Sequence, residues 1–173
     1  MTRIGIVCGY GTKLDDRTKH FLDGTAVQIK KLQPDAVILS GGQSDPGNSL
    51  TEADFMHRFF SGKIDHVEFL LEKEALTTLH NLFNCHELLN HKRILPDEIY
   101  IFCDRIRSLK VKILSRIIFK GLYVRVVPVK RKESLTVYLL QLPSLLYQVL
   151  GALIPGIRRW LENEKRKYVD RKR

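Results

Sequence analysis

The stretch Ile38-Leu39-Ser40-Gly41-Gly42-Gln43, followed by Ser49-Leu50-Thr51-Glu52-Ala53-Asp54, indicates how this chain folds. An apolar run ends in two glycines, and the second segment has the composition of a helix start. A strand, a loop and a helix N-terminus that meet in this way bring backbone N–H groups to one point. We therefore expect a corner that suits an anionic ligand, although Gly41-Gly42 could equally form only a tight turn.

Short apolar runs alternate with longer amphipathic segments along most of the chain. This alternation predicts βαβ crossovers, and strands that are apolar throughout favour a parallel sheet covered on both faces. We therefore predict an α/β, Rossmann-like three-layer fold with a mainly parallel five-stranded sheet and a C-terminal helical extension. The predicted strands are Ile4–Cys8, Ala36–Ser40, Val67–Leu71, Ile99–Cys103 and Tyr123–Val129, with helices near 16–32, 50–61, 77–90 and 107–119.

The pattern changes after Val129 and divides the chain into two predicted parts. Residues 1–133 would form the Rossmann-like ligand-binding domain, and residues 134–173 an amphipathic, basic helical extension. The segment from Ser134 to Ile157 contains no charged residue, and its length would permit a membrane span, which its prolines and polar residues oppose. Three alternatives stay open for it: a span, an interfacial or oligomerising helix, and a helix packed on the sheet.

Positive charge is concentrated in the second half of the chain. Residues 1–104 contain 11 Lys and Arg against 15 Asp and Glu, a net charge of −4, whereas residues 105–173 contain 18 against 4, a net charge of +14. Such a segment favours phosphates, nucleic acid or an anionic membrane, or is simply a solvated basic surface. Nucleic acid is not an expected partner, because Arg105 to Lys132 lacks interleaved aromatics and fits no nucleic-acid motif. The partners kept open are an anionic small molecule, an anionic membrane surface contacted by residues 134–173, and a second copy of the chain.

Cysteine usage and the first residues predict a cytoplasmic protein, with peripheral membrane association left open. Cys8, Cys85 and Cys103 form no CxxC pair, so neither a disulfide framework nor a zinc site is expected. The N-terminus runs directly into an apolar strand pattern, without the apolar core of a signal peptide. The six histidines form no metal-binding spacing, and no metal site is predicted.

Polar residues and glycines follow the predicted strands, and the carboxyl ends of parallel strands meet at one edge of a sheet, where ligands bind. We expect Gly11, Gly41 and Gly42 to allow close backbone approach, and Arg17 and Arg107 to neutralise an anion. Acidic and amide side chains would orient hydroxyl or amino groups. The full predicted binding set is Gly9, Gly11, Arg17, Ser40, Gly41, Gly42, Glu52, Glu74, Thr78, Asn81 and Arg107.

Competing interpretations exist for several of these residues. Glu52 lies three residues after Ser49, so a capping box would explain it without a ligand. Glu74, Thr78 and Asn81 would share one helix face if the helix began near Glu74, whereas Thr77 or Thr78 could instead be its N-cap.

Two familiar kinds of site are not predicted. Gly9-Tyr10-Gly11 lacks the third glycine of a dinucleotide fingerprint, because Leu14 stands there, and Ser40 rather than an acid ends the second strand. No catalytic triad, nucleophile elbow or Walker loop is present, so whether the protein is an enzyme stays open.

Taken together, the motifs resemble the ElyC/SanA/YdcF-like family, a domain of unknown function with a Rossmann-like fold. The resemblance covers about residues 4–129. The fourth element departs from it, because Cys103-Asp104-Arg105-Ile106-Arg107 has no His, and either Arg107 or Arg105 could stand for the usual Arg. The matching residues are Gly9, Arg17, Ser40-Gly41-Gly42, Thr51-Glu52-Ala53 with Met56 downstream, Glu74, Thr78 and Asn81.

The resemblance implies S-adenosylmethionine binding and a link to envelope functions. The expected function is therefore that of a YdcF-like small-molecule-binding protein, with S-adenosylmethionine or another nucleotide or anionic ligand at the carboxyl ends of the sheet. The alternative is an envelope-related enzyme that acts on an anionic sugar-phosphate or lipid-linked substrate at the membrane surface.

Overall fold

Strands and helices alternate strictly along the first three quarters of the chain. The computed structural model describes residues 1–45, 47–130 and 135–171, with side chains in the last range described from Pro143 onward. The predicted α/β fold is confirmed. The elements are β1 Arg3–Cys8, α1 Asp16–Leu32, β2 Ala36–Ser40, α2 Glu52–Ser61, β3 Glu68–Glu72, α3 Thr78–His91, β4 Glu98–Asp104, α4 Ser108–Ile118, β5 Tyr123–Val129, α5 Leu135–Leu153 and α6 Pro155–Asp170.

The five strands form one sheet in the order β3-β2-β1-β4-β5, and every neighbouring pair is parallel. Ile4 of β1 lies opposite Ala36 of β2 on one side and Ile99 of β4 on the other. The chain therefore starts at the centre of the sheet, moves outward through β2 and β3, and returns to the opposite side of β1. A crevice is expected where the order reverses, beyond the carboxyl ends of β1 and β4.

Alternate residues of the central strands enter two separate cores. Val7, Val37 and Phe102 pack with α1 and α2 on one face, whereas Ile6 and Ile38 pack with α3 and α4 on the other. Both faces are thus covered by helices. This explains why the central strands are apolar along most of their length, and it confirms the three-layer arrangement.

The N-caps of α2 and α3 decide between the interpretations that the sequence left open for these two helix starts. Thr51 is the N-cap of α2, with its hydroxyl accepting from Asp54 N at 3.1 Å, so the capping box that pairs Ser49 with Glu52 is wrong. Thr77 is the N-cap of α3, with its hydroxyl accepting from His80 N at 3.3 Å, which confirms that alternative. Glu74 consequently lies in the loop before α3 and not on the helix.

The two C-terminal helices pack against each other, and α5 also contacts α3 and α4. Val149, Ala152 and Leu161 pack against the core cluster on that side of the sheet. The described part of the extension therefore packs on α3, on α4 and on the core cluster of this face of the sheet. The predicted boundary at residues 133 and 134 lies outside the described residues. Within the described part of the chain, no helix is both long enough and apolar enough to cross a membrane.

Candidate functional site

A cavity of about 390 Å³ opens at the carboxyl ends of β1 and β4, where the strand order reverses. Its floor comes from the loop after β1, its walls from the starts of α2, α3 and α4, and its roof from α5 and α6. Five predicted residues line it: Gly9, Glu52, Thr78, Asn81 and Arg107.

The other predicted residues do not line this cavity. Arg17 is exposed in the first turn of α1. Glu74 is 72% exposed, and its carboxylate pairs with Arg166 of α6 at 3.1 Å. The remaining four, Gly11, Ser40, Gly41 and Gly42, lie behind the cavity wall or beside it, in contacts with other parts of the chain.

The backbone of the glycine corner is occupied by internal hydrogen bonds. Gly41 N donates to Glu72 O at 2.9 Å, and Gly42 N donates to Ala75 O at 2.6 Å. At the start of α2, Glu52 N donates to Gly42 O at 3.0 Å and Ala53 N to Gly41 O at 2.9 Å. These four N–H groups have partners within the chain, so the expectation that they await a ligand is wrong.

The carboxylate that fills this corner belongs to Glu52. It accepts from Gly11 N at 2.7 Å and from the hydroxyl of Ser44. A Cβ atom on Gly9 or on Gly41 would lie 2.7 Å from Glu52 Cβ, so the lack of a side chain at these glycines makes room for Glu52. Burial raises the pKa of the Glu52 carboxyl, while its two hydrogen bonds oppose that shift.

Glu72, at the end of β3, holds the loop that leads into α3. Its carboxylate accepts from Ser40 Oγ at 2.5 Å, from Ala75 N at 3.0 Å and from Asn84 Nδ2 at 2.9 Å. Ser40 Oγ also lies 3.2 Å from Asn81 Oδ1, which ties the network to a cavity residue. Ser40 and Glu72, which lie opposite each other in the strand register, therefore position α3.

Arg107 is fixed in place by three contacts. Its Nε donates to Asp104 Oδ2 at 3.0 Å, its Nη2 donates to Gly9 O at 3.3 Å, and its guanidinium carbon lies 3.1 Å from the centre of the Tyr10 ring. Cation–π contact and ion pairing together hold the side chain with little freedom. Arg107 thus presents a positioned cation to the cavity, and Asp104 compensates part of its charge.

Lys110 lines the cavity although the sequence interpretation missed it. The residue is only 5% exposed, and its Nζ donates to Ser144 Oγ at 3.3 Å. Burial, and then the charge of Arg107, lower the pKa of Lys110 from 10.5 to about 8. The available signal was helical spacing, because Lys110 shares the buried face of α4 with Val111 and Leu114.

Three residues of the C-terminal helices complete the cavity. Gln148 Oε1 accepts from Leu79 N in the first turn of α3 at 3.0 Å, and Gln148 Nε2 donates to Ser144 Oγ at 2.8 Å. Lys165 of α6 also lines the cavity. The extension is therefore part of the candidate site, which the division into a binding domain and a separate extension did not anticipate.

No family model matches this chain, and neither a curated protein nor a solved structure is significantly similar to it. The resemblance to ElyC/SanA/YdcF-like proteins therefore rests on the quoted residues alone.

The arrangement offers cations and hydrogen-bonding groups more than metal ligands. Across the described ranges, no group of three or more His, Cys, Asp or Glu side chains could hold a metal ion. The cavity instead combines Arg107, Lys110 and Lys165 with polar groups such as Thr78 and Asn81. Chemically, such a set can hold an anion and direct hydrogen bonds to its neutral parts.

Proposed function

We propose that this protein binds an anionic small molecule in the cavity between the carboxyl ends of β1 and β4. The observation that carries the proposal is that three cationic side chains, Arg107, Lys110 and Lys165, face one cavity at the switch point of the sheet. Open α/β sheets bind their ligands at this point. The volume of about 390 Å³ lies within the range of about 300–1,000 Å³ usual for small-molecule pockets.

The balance of charged side chains around the cavity supports the proposal that its ligand is an anion. Two acidic residues also line it, Asp104 and Glu52. Asp104 is engaged with Arg107, and burial favours the neutral form of Glu52. The charges of Lys110 and Lys165 are therefore only partly compensated by the protein, and an anionic ligand would complete the compensation.

A phosphate-bearing nucleotide fits this balance better than S-adenosylmethionine. The phosphate would lie near Lys110 and Lys165, while Thr78 and Asn81 would hydrogen-bond to hydroxyl or amino groups. S-adenosylmethionine, which the family resemblance implies, carries a cationic sulfonium that a positive cavity disfavours. It stays in the proposal as the second ligand to test.

The test compares Lys165→Gln with Lys167→Gln. Both lysines are exposed on α6, but only Lys165 lines the cavity, while Lys167 pairs with Glu164 at 3.0 Å. Calorimetric titration of dialysed protein with AMP, ATP, inorganic phosphate and S-adenosylmethionine should detect nucleotide binding. We expect Lys165→Gln to weaken it about tenfold, since one lost charge contact is worth roughly 1.4 kcal/mol, and Lys167→Gln to leave it unchanged. Equal effects of the two variants, or no binding of any of these ligands, would overturn the proposal.

A second candidate function is an enzyme that acts on an anionic sugar-phosphate or lipid-linked substrate at a membrane surface. The specific observation is that apolar side chains are exposed on the two helices that roof the cavity. They are Leu146, Tyr147, Leu153, Trp160 and Tyr168, and Ile154 between the two helices is exposed as well. Binding to anionic vesicles would separate this candidate from the first.

A further inference from the structure

We propose that Lys110 is a reactive amine that forms an imine with aldehydes or ketones carrying an anionic group. The inference rests on the proposed function, because the same cavity would hold the anionic group of such a compound. It adds a covalent step at one named atom, Lys110 Nζ, and a chemical class of ligand.

The position of Lys110 is unusual for a lysine kept as a simple cation. An ammonium group has three donors and is strongly hydrated in water. Among the described residues, the hydrogen-bond partner of Nζ is Ser144 Oγ, at 3.3 Å, a long distance for a charged donor. The residue is 5% exposed, so contacts with the described residues replace only part of its lost hydration, and burial shifts the amine toward its neutral form relative to an exposed lysine.

The charges around Nζ reinforce that preference. Arg107, from the turn before α4, and Lys165, from α6, both lower the pKa of Lys110. Asp104 and Cys8 act in the opposite direction, and Asp104 is itself paired with Arg107. A desolvated lysine beside other cations is the usual setting of an amine that attacks carbonyl groups.

The chemistry balances without an oxidant or a reductant. The lone pair of Nζ attacks the carbonyl carbon, a C–N bond forms, and the carbonyl oxygen leaves as water with the two protons of the neutral amine. Arg107 and Lys165 would hold the anionic group of the ligand during this step. The product is an imine, which water reverses.

The test uses pyridoxal 5′-phosphate as an anionic aldehyde on the full-length protein, with borohydride reduction and peptide mapping by mass spectrometry. Lys112, exposed on the same helix, is the internal reference. At about pH 8 we expect the reduced adduct to form about tenfold faster at Lys110 than at Lys112, with a pH midpoint near 8 for Lys110 alone. Lys110→Arg should remove the main adduct, and Lys112→Arg should leave it.

The matched compound pyridoxine 5′-phosphate, which has the phosphate but no carbonyl, separates this inference from the proposed function. If it binds in calorimetry while Lys110 forms no preferred adduct, the imine is wrong and anion binding stands. If it does not bind and no nucleotide binds, both proposals fail. The inference is overturned if adducts spread over exposed lysines and Lys110 reacts no faster than Lys112. This comparison is made within the unmutated protein, so it holds even if Lys110→Arg does not fold.

Discussion

Lys110 imposes an energetic cost on the folded state. Its pKa falls from 10.5 to about 8, a shift that corresponds to about 3 kcal/mol. The folded pKa lies below the unfolded value, so the unfolded chain binds more protons between these two pH values. Stability contributed by this group should therefore rise as the pH increases from about 8 to about 10.5.

Replacing Lys110 by methionine should stabilise the protein at neutral pH. We expect Lys110→Met to raise the free energy of unfolding by roughly 1–3 kcal/mol at about pH 7, and by little above about pH 10.5, because only the protonated amine is penalised. Urea unfolding at both pH values measures this. Lys112→Met, at an exposed position of the same helix, is the control and should change stability by less than about 0.5 kcal/mol at either pH. A destabilised Lys110→Met protein at pH 7 would contradict the expectation.

Glu52 illustrates how one buried side chain can take the place expected for a ligand. Its carboxylate lies against Gly9 and Gly41, and it accepts from Gly11 N at 2.7 Å. The glycine pattern predicts a corner that suits an anion. The carboxyl group that occupies it, however, belongs to the chain itself, so external ligands are expected only on the cavity side.

At the scale of secondary structure, α5 provides a hydrogen-bond acceptor for a backbone N–H group at the N-terminus of α3. Thr77 satisfies His80 N at the start of α3, and Gln148 from α5 satisfies Leu79 N at 3.0 Å. Helix N-termini leave several N–H groups without partners inside the helix. A contact between distant segments thus replaces local capping at this position.

Removing the acceptor at Gln148 should therefore destabilise the protein. We expect Gln148→Leu to lower the free energy of unfolding by about 1–3 kcal/mol, because Leu79 N would be buried without a partner. Gln148→Glu should recover most of that loss, since a carboxylate also accepts from Leu79 N and favours the positive end of α3. Denaturant titration of the three proteins provides the measurement, and equal stability of Gln148→Leu and the unmodified chain would contradict the assignment.

At the scale of the whole molecule, the uneven charge distribution bears on which surfaces the protein would bind. Residues 105–173 carry a net charge of +14, and the two roofing helices expose Trp160 and other apolar side chains. Basic residues beside exposed aromatics suit the surface of an anionic bilayer. The same helices roof the cavity, so membrane contact would bring an anionic substrate close to the candidate site.

Vesicle flotation tests the membrane surface proposed for the second function. We expect binding to vesicles rich in phosphatidylserine at low salt, loss of that binding at high salt, and no binding to neutral vesicles. Trp160→Ala should weaken binding several-fold, whereas Tyr123→Ala, which removes an exposed aromatic from β5, should not. Equal binding of the two variants, or none at low salt, would remove the membrane part of the second function. Light scattering on the same samples would show whether the exposed apolar surface instead pairs two copies of the chain.

Much of the fold could be predicted because it follows local patterns. Short apolar runs such as Ala36–Ser40 have the length of a strand. Because such a strand is apolar on both faces, the sheet needs helices on both sides to cover it. The order of the strands could not be predicted, since it depends on which side of β1 each crossover returns to. The helix starts were uncertain by a few residues, and Thr51 and Thr77 settle them through side-chain hydrogen bonds.

The candidate site was predictable only in part, for a related reason. The chain by itself determined which glycines and polar residues belong to the predicted set, and five of them, including Glu52, Asn81 and Arg107, do meet in one cavity. Only the tertiary structure decided that the glycine corner is filled from within, that Lys110 is buried and that Gln148 closes the roof. Periodicity records which face a residue occupies, whereas hydrogen-bond partners and desolvation depend on segments far away in the chain.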